Sequence, residues 1–166
     1  MSYIVGIPLL SLLAILQSVL MGYFQLLDGR ADLVLVAVVA WSLTRRSEEA
    51  MVWAVIGGFA LDLLSGLPFG TNALILLIVT FLVSFLEGRF WEAHLLMPLG
   101  VMLVASLTYH ILSTLVAMIL VQDVSFAYTF RRIILPSTFL NVIIALPASQ
   151  LASALHYRLY PQEVEL

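Results

Sequence analysis

Two side chains in this sequence could do acid–base chemistry inside an otherwise apolar chain: Asp62, in the stretch Gly57 to Leu74, and His110, in the run Leu95 to Val121. A buried carboxylate and an imidazole on separate helices are the parts of a proton relay or a polar substrate site. The same groups also serve as hydrogen-bonding glue between helices, the commoner use of intramembrane polar residues. Contact between the two is left open by the sequence. An ionised aspartate at bilayer depth costs roughly 2.5–3.5 kcal/mol on insertion scales, and Asp62 lies near the negative C-terminal end of its helix. It therefore needs a partner or a proton. Ala54, Gly58, Asp62 and Ser65 recur at helical spacing, which puts three small side chains and the acid on one inward face. Gly66, Pro68 and Gly70 then mark a tight turn, with a ligand cleft as the alternative. On this reading Asp62 holds helices together, and Asp62→Asn is expected to fold nearly as well as the parent. Asn141 and Gln25 are expected to be glue of the same kind.

No catalytic signature accompanies these residues. HExxH, GxSxG, a P-loop and paired intramembrane carboxylates are all missing, so no enzyme and no cofactor is expected. There is no cysteine, which removes thiol nucleophiles, thiolate metal sites and disulfides. Lysine is also absent and the net charge is −3, against nucleic acid or anionic lipid held by a basic patch. With 63% hydrophobic residues, 10% charged residues and a mean hydropathy of +1.11, the composition is that of an integral membrane protein.

The elements that must position these residues form a single membrane domain, 1–166, of six helices near 3–27, 31–44, 50–64, 73–87, 95–121 and 133–157. The first lacks a basic leader and reads as a retained helix. It carries the small-residue stripe Ala14, Ser18, Gly22, suited to close helix contact. Helices 2 to 4 are short for a 30 Å core. Trp41 reads as an interface anchor with Arg45 and Arg46 beside it. The segment Glu87 to His94 reads as surface-lying. Helix 5 aligns Ser106, His110, Ser113 and Thr114. Gln122 to Arg132 is the longest connection, where Tyr128, Phe130, Arg131 and Arg132 suit interfacial anchoring or a partner or lipid head group. The last helix has Pro136 in its first turn, Pro147 at an expected kink, and an inner face of Ser137, Asn141 and Ala145. Four arginines on the side of the termini against three on the other favour cytoplasmic termini.

The succession Gly58, Asp62, Gly66, Gly70, Ala73, Leu74, preceded by Arg30-Ala-Asp32-Leu33 before helix 2, resembles the rod shape-determining protein MreD family along nearly the whole chain. Ala31 stands where members often have proline, and Ala60-Leu61 where a further glycine is common. The resemblance implies a bacterial inner-membrane subunit of the cell-elongation machinery. Such a subunit partners the bitopic MreC, connects to MreB filaments, and acts with RodA and a class B penicillin-binding protein. It further implies a six-transmembrane-helix, all-α fold similar to the substrate-binding subunits of energy-coupling-factor transporters. A vitamin-binding subunit of that kind is the alternative function. Between them stands the bottom-up expectation of a scaffold that meets neighbours and membrane lipid through helix faces, with Ala14, Ser18, Gly22, Ala54, Gly58, Asp62, Ser65, Gly66, Gly70, His110 and Asn141 as the packing or partner-binding candidates.

Overall fold

The computed structural model describes residues 2–20, 23, 25–44, 47–87, 96–120 and 124–160. They form α1 (Ser2–Leu20), α2 (Leu33–Ser42), α3 (Ser47–Asp62), α4 (Thr71–Glu87), α5 (Met97–Leu120), α6 (Phe126–Thr129), a π-helical turn (Phe130–Ile134) and α7 (Leu135–Leu159). No strand occurs among the described residues, apart from an isolated bridge between Leu26 and Gly29. Arg45, Arg46, the segment 88–95 and the tail 161–166 lie outside the described residues, as does Gly22.

The bundle is built around α2. Its sequence LVLVAVVAWS has no polar face, and such a helix must be enclosed. Eight of its ten residues are buried, and α1, α3, α4, α5 and α7 all pack on it. Ten residues rise about 15 Å, half of a hydrocarbon core. Two other helices, Met97–Leu120 and Phe126–Leu159, are long and apolar enough to cross a membrane. Trp41, at the end of α2, is fully buried rather than an interface anchor. The reason is Trp53 on α3, whose ring stacks on it at 4.3 Å between centroids and 5° between planes.

α3 and α4 form the tightest pair. A Cβ on Gly58 would collide with the Cα of Ala73, so the two backbones touch where any side chain would force them apart. Ala54, Leu61, Asp62 and Ala73 are buried along the same contact.

The last helix begins earlier than the sequence suggests. Phe126 to Leu159 is helical throughout, so residues placed in a long connection, among them Tyr128, Arg131 and Arg132, are on a helix, and Pro136 is inside rather than in the first turn. Proline has no N–H, which leaves the carbonyl four residues earlier without its helical partner. That carbonyl, Arg132 O, accepts instead from the Asp28 N–H at 3.1 Å, and the π-helical turn lies at the same place. Pro147 is accommodated within α7.

The freed carbonyl anchors an extended strap that enters α2. Asp28, Arg30 and Asp32 point alternate N–H groups at the π-helical turn and α7: to Arg132 O, to Ser137 Oγ at 3.0 Å and to Asn141 Oδ1 at 2.7 Å. Gly29 lets the strap lie flat, since a Cβ there would meet Ser137 N at 2.7 Å. Ser137 and Asn141 are one helical turn apart, so alternate residues of the strap meet successive turns of the helix. Before the strap, α1 ends at Leu20 and residues 26–29 turn sharply, with Leu27 at φ 57°. Gln25, expected on an inner helical face, is exposed.

Candidate functional site

Two polar clusters sit side by side between the helices. In the first, Asp62 closes α3 and receives the start of α4. Its Oδ2 accepts from the N–H of Gly70 at 2.9 Å and of Ala73 at 3.3 Å. Its Oδ1 accepts from Asn72 N at 2.8 Å and Asn72 Nδ2 at 3.0 Å. The partner that a buried acid requires is thus a helix N-terminus, whose orphan amides and positive dipole end suit a carboxylate. Gly70, at φ +95°, adopts the left-handed turn that aims its N–H at the acid. Asn72 is engaged at both ends of its amide: Nδ2 also donates to Ser65 Oγ at 3.2 Å, and Oδ1 accepts from Tyr109 Oη at 2.9 Å.

The second cluster is centred on Asp32. It occupies the N-cap position of α2 yet makes no side-chain cap. Its Oδ1 accepts from Gln17 Nε2 at 2.7 Å, while Gln17 Oε1 takes the Val34 N–H at 3.2 Å and so does the capping in its place. Asp32 Oδ2 lies 3.0 Å from His110 Nε2. That nitrogen nevertheless makes no directed hydrogen bond, so the carboxylate oxygen is close to the ring but out of line with it. Behind it Asn141 Nδ2 donates to Ser106 Oγ at 2.9 Å, and Ser106 Oγ donates to Thr138 Oγ1 at 3.3 Å.

Adjacent residues on α5 therefore serve different clusters, Tyr109 that of Asp62 and His110 that of Asp32. The two groups singled out as a possible relay have separate partners. Between the clusters is an open cavity of about 310 Å³, lined by Ala14, Gln17, Ser18, Arg30, Asp32, Leu61, Ser65, Asn72, Tyr109 and His110 among others. Asp62 is not on its wall. Ala14, Ala54 and Gly58 are buried inside the bundle, while Ser18 and Gly66 are exposed. Ser137, Asn141 and Ala145 are all buried on the inner face of α7.

Gln17, Asn72 and Tyr109 carry no expectation from the sequence, and Asp32 stands there only as part of the Arg30-Ala-Asp32-Leu33 motif behind the family resemblance. Asp32, directly before an apolar run, has the signature of an ordinary N-cap, and only the spatial neighbours show otherwise. Asn72 had a signal: an asparagine at the second position of a helix that starts at a glycine turn is placed to meet the acid ten residues before it.

A second cavity, of about 330 Å³, is apolar and lies between α1, α2, α3 and α7. Leu9, Leu13, Ala37, Ala40, Ala148 and Ala152 contribute to its walls.

A family model described as rod shape-determining protein MreD matches residues 1–152. No curated protein and no solved structure matches significantly.

Proposed function

The chain belongs to the rod shape-determining protein MreD family, and from that premise we propose that it is a non-enzymatic scaffold subunit of the bacterial cell-elongation complex. It binds an MreC-like single-pass protein and, through it, helps couple MreB filaments to peptidoglycan synthesis by RodA and a class B penicillin-binding protein. The termini face the cytoplasm of the inner membrane.

The observation that carries this reading is the apolar groove beside α2. Alanines on α2 (Ala37, Ala40) and α7 (Ala148, Ala152) line it. Small residues let a foreign helix approach closely, and packing is what drives helix association where lipid is as apolar as leucine. The polar clusters, by contrast, are spent mostly on internal hydrogen bonds, as glue would be. The vitamin-binding alternative has less support, because a cavity of about 310 Å³ is at the small end of the ~300–1,000 Å³ usual for ligand pockets.

Co-purification with the MreC-like protein in mild detergent tests this. Ala148→Phe and Ala152→Phe, which fill the groove from one wall, should abolish recovery of the partner while the variants remain monodisperse. Recovery at the parental level with both variants would remove the groove as the docking face.

A further inference from the structure

Among the described residues, the side-chain amides of Gln17, Asn72 and Asn141 are engaged at both ends. Asp62 accepts from four donors. Asp32 Oδ2, by contrast, lies close to His110 Nε2 but out of line with it, and both residues line the polar cavity. Unspent hydrogen-bonding capacity inside a helical bundle is costly, and at Asp32 it faces an open space.

The geometry points to this cavity as a binding site for a small ammonium-bearing zwitterion, its ammonium against the Asp32 carboxylate and its anionic end toward Arg30. An ammonium carries three donors in a compact group and can meet the Asp32 carboxylate from the cavity, whereas His110 Nε2 is buried. Arg30, exposed on the cavity wall, offers the planar fork that suits a carboxylate or phosphate. Asp28, also on the wall, is occupied by Tyr128 Oη at 2.9 Å. A simple anion is disfavoured by the two carboxylates lining the space, and a metal ion by the lack of any grouping of three ligating side chains among the described residues. At ~30 Å³ per water, the volume holds roughly ten waters, room for a short solute or a lipid head group.

The zwitterion has two sources, a soluble amino acid or the head group of phosphatidylethanolamine. Thermal unfolding of the full chain in phosphatidylcholine nanodiscs separates them. One arm adds glycine or alanine at tens of millimolar, with propionate as the control lacking the ammonium. The other replaces part of the lipid with phosphatidylethanolamine. A saturable rise of a few degrees is expected in one arm, absent with propionate. It should be lost in Asp32→Asn and in Ser18→Trp, which crowds the cavity from an exposed position on α1. Should Asp32→Asn fail to fold, Ser18→Trp decides alone. No rise in either arm, an equal rise with propionate, or a rise that survives Ser18→Trp would overturn the assignment. Partner recovery through the apolar groove is unaffected by any of these outcomes, so this inference and the scaffold reading stand or fall separately.

Discussion

Asp62 shows how much the hydrogen-bond partners of a single side chain decide. Taken alone, it could be exchanged for asparagine with little loss. With both oxygens accepting from N–H groups, the exchange turns a donor toward donors. Asp62→Asn is therefore expected to lose about 1.5–3 kcal/mol, the range for a hydrogen bond to a charged group, and Asp62→Leu more, because the amides of α4 are then left bare. Reversible unfolding in mixed micelles measures both, and an Asn variant as stable as the parent would contradict the geometry. At Asn141 the same logic applies from the acceptor side. Asn141→Leu leaves the Asp32 N–H without its acceptor, at a cost of about 1–3 kcal/mol, visible in the same assay.

At the scale of elements, the close packing of α3 on α4 and of the strap on α7 rests on positions where a side chain does not fit. Gly58→Ala puts a methyl against Ala73 and is expected to cost about 1–3 kcal/mol as overpacking. Gly66→Ala, in the turn between the same helices, meets nothing within 4 Å and should change stability by less than about 0.5 kcal/mol. The contrast is the test, since both glycines belong to the same short stretch of sequence. If the two variants unfold at the same temperature, the α3–α4 contact is not as close as described. Pro136 acts at this scale too: by withholding one donor it releases a carbonyl, and the loop before α2 uses it.

For the whole molecule, the two ends of the bundle are held by different contacts. Asp28 and Tyr128 meet at one; Tyr160 Oη reaches Glu49 at 2.6 Å at the other. The proposed orientation puts the first outside and the second in the cytoplasm. The absence of native cysteine makes this measurable: in intact cells Gln25→Cys and Ser125→Cys should react with a membrane-impermeant thiol reagent, and Glu48→Cys should resist it. The reverse pattern would invert the orientation. Composition and hydropathy alone determined that the chain is helical and belongs in a membrane, because those are sums over residues that no arrangement changes. The inward faces of α3 and α7 were legible for a similar reason: helical spacing aligns Ala54, Gly58 and Asp62, and Ser137, Asn141 and Ala145, whatever the neighbours. The sequence could not say that His110 meets Asp32, 78 residues away, rather than Asp62, nor that Trp41 finds Trp53 instead of the interface. Pairing across helices depends on which faces meet and at what height, and that is settled only when the short, fully enclosed α2 fixes the positions of the helices around it.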